Sequence, residues 1–233
     1  MNWKDVWLRK GSNAPAEPTI PDLMKLNGYD SGAGSAGFEA LDGFSARAGA
    51  RLNIKPDMRL LEVGCGSGAW LRHHYLNGVN VSGADFSHDH LRVARGIMPS
   101  GNFTAADATS LPYGNGVFDI AVGGSCFQYL PDAHSASDAL SELIRVLKPG
   151  GRGAVTDLPD VVSRTESETF RRGELGHKEY ERRYSGLDHQ HFSRQKMISL
   201  SNRLGCSATT TTQEIIGYGN SPYRFNLWME KET

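Results

Sequence analysis

Cysteine is scarce in this chain: only Cys65, Cys126 and Cys206 occur among 233 residues. Their wide separation fits neither a zinc site nor a disulfide framework, so all three read as small, buried, reduced residues. No charge of one sign prevails, since 25 Lys and Arg oppose 26 Asp and Glu for a formal net charge of −1. With that balance, and with no basic tract or aromatic ladder to follow a phosphate backbone, nucleic acid is not expected as a partner. No stretch approaches the ~20 apolar residues of a membrane span. The segment from Met1 to Lys10 also lacks the apolar core of a secretory signal. No membrane partner and a cytoplasmic location are expected. No internal repeat interrupts a length that suits one α/β core, so residues 1–233 are read as a single domain.

What the chain does have is Leu60-Leu61-Glu62-Val63-Gly64-Cys65-Gly66-Ser67-Gly68-Ala69. A short apolar strand runs into three alternating glycines, and a helix follows. The glycines allow a sharp turn and close approach to a bound molecule, where a Cβ would collide. The helix N-terminal amides then favour a polar or anionic group. The loop fits the dinucleotide pattern G-x-G-x-x-G/A, and it also fits acid-x-G-x-G-x-G with Glu62 as the acid. A carboxylate at the strand end repels a pyrophosphate but receives an ammonium. Glu62 therefore points towards an amino-acid-bearing nucleoside such as S-adenosylmethionine. The plainer alternative is a solvated strand-end charge.

A second strand, Val79 to Ala84, ends at Asp85-Phe86. An acid there suits the two hydroxyls of a ribose. A helix over Ser87 to Ile97, capped by Ser87, precedes a third strand near Asn102 to Ala105 and then Asp107-Ala108. Asp107 is placed to accept an adenine amino group, or else is a turn aspartate. After the turn Leu111 to Gly116, Phe118 to Val122 reads as a fourth buried strand. Leu140, Leu143, Ile144 and Leu147 share one side of a helix over Ser141 to Leu147 that Pro149 and the following glycines stop, and Gly153 to Thr156 is a fifth strand. Two C-terminal strands flank the turn Tyr218 to Pro222. A short-chain dehydrogenase would want a Tyr-x-x-x-Lys pair, but Tyr180 is followed by Arg183 and Tyr184 with no such lysine.

In the order and spacing of Glu62-Val-Gly64-Cys-Gly66-Ser-Gly68, Asp85, Asp107-Ala108, Phe118-Asp-Ile-Ala-Val and Leu147-Lys-Pro-Gly-Gly151, the chain resembles the class I S-adenosylmethionine-dependent methyltransferases of the small-molecule branch. The resemblance is strong over residues 55–160. It implies a doubly wound, seven-stranded, mostly parallel sheet with an antiparallel last strand and helices on both faces. It also implies S-adenosyl-L-methionine as cofactor and S-adenosyl-L-homocysteine as product. The cofactor site would comprise Glu62, Gly64, Cys65, Gly66, Gly68, Asp85, Phe86, Asp107, Ala108, Gly124, Ser125 and, from the N-terminal segment, Tyr29.

Three segments can reach the substrate edge. Residues 1–37, rich in Gly, Pro and Ser and carrying Trp3, Trp7 and Tyr29, read as a loop that closes as a lid or packs on outer helices. Gly123 to Tyr129 follows the fourth strand; there Gln128 either orients an acceptor hydroxyl or is a surface helix residue. Residues 161–192 form an insertion whose mixed charges read first as a solvated helical face, broken by Gly173 and Gly176. It ends at His189, His191 and Phe192, before a helix capped by Ser193 and the remainder, residues 193–233. His189 is the candidate base for a hydroxyl acceptor, with His191 and Tyr184 behind it. Each is otherwise structural. No metal site is expected. The expected activity is O-methylation of a small polar molecule, a sugar or another hydroxylated or carboxylated metabolite, by a monomer or homodimer. The alternatives are N- or C-methylation and non-catalytic S-adenosylmethionine binding.

Overall fold

The computed structural model describes residues 2–30 and 32–233. Seven strands form one sheet in the order β3-β2-β1-β4-β5-β7-β6. They are β1 (Arg59–Val63), β2 (Asn80–Asp85), β3 (Asn102–Ala105), β4 (Phe118–Gly124), β5 (Leu147–Pro159), β6 (Cys206–Thr212) and β7 (Arg224–Lys231). Strand β7 runs antiparallel to both β5 and β6, and the pairings among β1 to β5 are parallel. The chain order reverses between β1 and β4, so a crevice opens beyond their carboxyl ends.

The two-residue period of the strands sorts side chains between two cores. Leu60, Val81, Ile120, Val122 and Trp228 belong to one, and Leu61, Val63, Ala121, Val155 and Met229 to the other. Glu62 takes its place in this alternation on the Leu60 face. That face is covered by α2 (Ile20–Leu26), α3 (Phe38–Arg51), α4 (Leu71–Leu76) and α5 (His88–Ile97). The opposite face carries α6 (Ala133–Val146), through Leu140, Leu143 and Ile144, and α9 (Arg194–Arg203), through Met197. Helix α6 begins earlier than the apolar spacing predicts because Asp132 caps it, accepting from the Ser135 amide at 2.8 Å. Strand β5 likewise starts at Leu147, before the glycines.

The N-terminal segment departs most from expectation. Instead of a loop it holds α1 (Trp3–Ser12) and α2, each opened by a capping box. The Asn2 side chain accepts from the Asp5 amide at 2.9 Å while Asp5 accepts from the Asn2 amide at 3.2 Å. Asp22 accepts from the Thr19 amide at 2.9 Å, and Pro21 sits harmlessly in the first turn. The charged insertion forms α7 (Arg164–Leu175) and α8 (His177–Tyr184). Gly176, at φ +71°, breaks it between them, whereas Gly173 continues inside α7.

Candidate functional site

The loop after β1 is shaped by the protein around it. Gly64, Gly66 and Gly68 have φ of +70°, +53° and +81°. A Cβ on Gly64 would lie 2.5 Å from the Cys126 Cβ, and one on Gly68 would run into the methyl of Met98, the residue that ends α5. Beyond the sharp turn and close approach to a ligand expected of them, these glycines let the residues just after β4 and α5 close on the loop. Asn27, at the end of α2, clasps the loop from the other side. Its Oδ1 accepts from the Ser67 amide at 3.1 Å and from the Ser67 hydroxyl, and its Nδ2 donates to the Cys65 carbonyl at 3.3 Å.

Beyond the loop lies a cavity of about 970 Å³. Glu62, Gly64, Gly66, Asp85, Phe86, Ala108, Gly124, Ser125 and Tyr29 line it. Cys65, Gly68 and Asp107 do not. The Cys65 side chain is buried against Gly83, Gly68 packs on Met98, and Asp107 turns its carboxylate to the Thr109 amide at 2.9 Å. Sequence reasoning did not identify Trp7, Asn27, Trp70, His90 or Thr156 as part of this wall. They arrive from separate elements, and only the capping boxes hinted that the N-terminal segment was built enough to supply two of them.

Glu62 is buried, and its Oε2 has no hydrogen-bond partner. Burial first, and the nearby Asp85 second, raise its carboxyl well above the usual range. Asp85 is held in place: one oxygen accepts from the Gly66 amide at 2.9 Å and the other from the Ser87 amide at 2.8 Å. Burial raises its pKa as well, against those amides and His90. The Trp7 and Trp70 indole N–H groups are also buried without partners. The wall of this cavity thus carries a carboxylate oxygen and two indole N–H groups whose hydrogen-bonding capacity the protein leaves unused.

A second cavity, about 1340 Å³, shares Trp7 and Tyr129 with the first. Helix α1 roofs it. The Trp3 ring stacks on His189 with centroids 4.8 Å apart and lies 4.8 Å from Tyr129, and its Nε1 donates to the Asp188 carbonyl at 2.9 Å. Tyr184 and His189 line this cavity. His191 and Gln128 line neither. His191 bonds through Nδ1 to the His189 carbonyl at 3.0 Å, and buried Gln128 donates to the Ser125 carbonyl at 2.9 Å. His189 Nδ1 accepts a hydrogen bond from Arg171 Nη1. Burial, then the charges of Arg171 and Arg224, hold its imidazole well below the usual histidine range. Such a ring is neutral at pH 7 and carries its hydrogen on Nε2. Tyr129, pushed up to about 12 chiefly by burial, stays a phenol.

A seven-stranded sheet of this order, with a glycine-rich loop and two strand-end acids at its switch point, is an α/β fold of the methyltransferase type. Residues 60–151 match the family model described as a methyltransferase domain, which supports a class I S-adenosylmethionine-dependent methyltransferase. It is 36% identical over 117 residues to Methyltransferase GfsG of Streptomyces halstedii, a match covering 46% of this chain and 40% of that protein. It is also 36% identical over 99 residues to the malonyl-(acyl-carrier protein) O-methyltransferase of Salmonella typhimurium, covering 42% and 38%. The chain thus spans about two fifths of the length of these curated relatives.

Among solved structures it resembles the methyltransferase in complex with the Haloferax volcanii Trm112 activator, with TM-score 0.68, 16% identity and coverage of 97% and 96%. It also resembles magnesium protoporphyrin IX methyltransferase of Synechocystis PCC 6803 with bound SAH, with TM-score 0.63, 15% identity and coverage of 98% and 94%. The [4+2]-cyclase SpnF matches with TM-score 0.62 and 17% identity, covering 93% and 98%. At these identities the likeness is one of fold. No helix among the described residues is long and apolar enough to cross a membrane.

Proposed function

We propose that the chain binds S-adenosylmethionine in the first cavity and catalyses its use to methylate an oxygen of a small polar acceptor seated in the second. The observation that carries this reading is the buried, unpartnered Glu62 carboxylate beside Asp85. An amino-acid ammonium would satisfy Glu62, and the ribose hydroxyls would donate to the lone pairs that Asp85 keeps beyond its two amide bonds. Phe86 and Ala108 supply an apolar wall for the base. When bound, the cofactor supplies a methyl group on a sulfonium sulfur.

The chain's own contribution to such a displacement is position and dryness. Trp7 and Tyr129 stand at the junction of the cavities, where donor and acceptor would meet. Ser125 is held there by hydrogen bonds with Tyr29 at 2.9 Å and Asp157 at 2.9 Å. Neutral His189, with Nδ1 engaged by Arg171, suits donating a hydrogen bond to the acceptor better than taking its proton. An acceptor that arrives already ionised needs no base.

Residues 1–37 and 161–192 together act as the lid, since Trp3 joins α1 to the segment after α8. Calorimetric titration with S-adenosylhomocysteine, with NADH as the parallel ligand, tests the reading. Micromolar binding of the first alone is expected, and binding of NADH alone would overturn it. The fold also hosts other chemistry, as the cyclase shows. Methyl transfer from labelled cofactor to a metabolite extract separates an enzyme from a protein that only binds the nucleoside.

A further inference from the structure

The second cavity is rich in basic side chains: six of them and one acid, Asp30, line it. Four of the six are ion-paired, Lys10 with Asp30, Arg182 and Arg183 with Glu179, and Arg224 with Asp157. One of the six stands apart. Arg171 comes from the solvated helix α7 yet is only 5% exposed. Among the described residues no carboxylate pairs with it directly: Glu168 acts on its charge from a distance, and its guanidinium lies 5.8 Å from the Tyr184 ring centroid. Its Nη1 donates to neutral His189, and its Nε is buried with no partner. The other deeply buried arginine of this wall, Arg224, is neutralised by Asp157 at 2.7 Å. Taking a guanidinium out of water without a counter-charge is costly, and the usual remedy is a paired anion.

From this juxtaposition of a buried guanidinium that no carboxylate pairs with, the His189 ring it donates to and an open cavity rich in basic side chains, we infer that the acceptor carries a carboxylate or phosphate that Arg171 holds. The inference rests on the methyltransferase reading of the same site and adds the acceptor's chemical class. A guanidinium fork suits either anion, since both present two oxygens in one plane. Arg171 borders the outer cavity but not the cofactor cavity. The anion is therefore an anchor, and the atom that receives the methyl group lies nearer the Trp7–Tyr129 junction. The Trp3, Tyr129 and Tyr184 rings offer an apolar wall for the carbon frame between the two. A sugar acceptor would accordingly be a sugar acid or sugar phosphate and not a neutral sugar.

The test uses the full chain saturated with S-adenosylhomocysteine. Calorimetry or ligand-observed NMR compares benzoate and phenyl phosphate with their neutral counterparts benzamide and benzyl alcohol. At least one anion is expected to bind ten times more tightly than its neutral counterpart, and more weakly as salt is raised. Which anion does so separates a carboxylate from a phosphate acceptor. Arg171→Gln is expected to lose at least tenfold in anion affinity and Arg171→Lys less, both keeping the wild-type affinity for S-adenosylhomocysteine.

Equal binding of neutral and anionic probes, no binding of any probe, or unchanged anion affinity in a folded Arg171→Gln would overturn the inference. The wild-type comparison alone decides if the variants do not fold. Failure of the wild type to bind S-adenosylhomocysteine would sink the methyltransferase reading, a separate result.

Discussion

The Ser125 hydroxyl donates to the Asp157 carboxylate at 2.9 Å, and both residues have left-handed backbone, with φ of +50° and +64°. Neither is glycine, so each costs conformational energy that the surroundings must offset. The two stand at the ends of β4 and β5, where the Ser125 amide also donates to the Thr156 carbonyl at 3.2 Å. Asp157 further accepts from Arg224 at 2.7 Å and from the Tyr218 hydroxyl at 3.1 Å. One carboxylate thus ties the floor of the first cavity to the wall of the second.

Asp157→Ala leaves the Arg224 charge buried and unpaired. A loss of about 3–5 kcal/mol in unfolding free energy is expected, as for other broken buried pairs. Urea denaturation measures it. The double variant Asp157→Ala/Arg224→Met should recover much of the loss, because no orphaned charge then remains. A single-variant loss below about 1 kcal/mol, well short of that range, would remove Asp157 from this structural role.

Glu62 sets a conflict between stability and binding. Its folded pKa is raised above the unfolded value by burial, with Asp85 second. Its contribution to stability is therefore fully present below the unfolded pKa and is lost as pH rises through the folded one. Ligand-free Glu62→Gln escapes that loss and should be more stable than wild type at pH 8, by about 1 kcal/mol or roughly 2–4 °C in Tm. The same variant should lose S-adenosylhomocysteine binding, since the amide cannot receive an ammonium as a carboxylate does. Wild-type affinity should rise with pH as Glu62 ionises, with proton release visible as a buffer-dependent binding enthalpy. Thermal melts at two pH values and calorimetry in two buffers check both halves. A variant less stable than wild type at pH 8 would contradict the assignment.

Asp85→Ala should weaken cofactor binding by about 1–3 kcal/mol, or roughly 5- to 150-fold, through unpaired ribose hydroxyls. It also frees the Gly66 and Ser87 amides that Asp85 now satisfies. Plain adenosine distinguishes the two acids: Asp85→Ala should weaken its binding, and Glu62→Gln should not. Equal effects of the two substitutions on adenosine would show that the acids had been assigned to the wrong ends of the ligand.

The parts of the fold legible in the sequence are those written in local pattern. The strand ending at Asp85, the Ser87 cap and the strand Asn102 to Ala105 each announce themselves within a few residues, and each is present. Helix α1 was hidden by the Gly- and Pro-rich stretch beside it, although Asn2-Trp-Lys-Asp5 is a capping signal. Arg171 and Asp157 lay beyond local reading. In sequence one is a member of a charge run and the other a lone acid. Only the folded chain shows that the first is buried with no paired carboxylate and that the second, on β5, is buried with Arg224 of the neighbouring β7. Cys65, Gly68 and Asp107 fail the opposite way, because a motif position does not say which way its side chain faces.

Helix α1 gives the last prediction. It is anchored at one end by Gly11, whose missing Cβ lets the helix lie against Ser87 and His90, and at the other by Trp3 on His189. Its central Trp7 borders both cavities. Few apolar contacts beyond these rings hold it, so it should open more easily than the sheet behind it. Trp3→Ala removes the stack and the hydrogen bond to Asp188, and amide exchange over residues 2–12 should accelerate at least tenfold while β1 and β4 exchange as in wild type. S-adenosylhomocysteine should leave the variant faster in stopped-flow chase experiments, with little change in its rate of entry. The converse, unchanged exchange over α1 and an unchanged release rate, would mean that this helix is part of the fixed wall and that entry to the cavities runs through the α7–α8 segment alone.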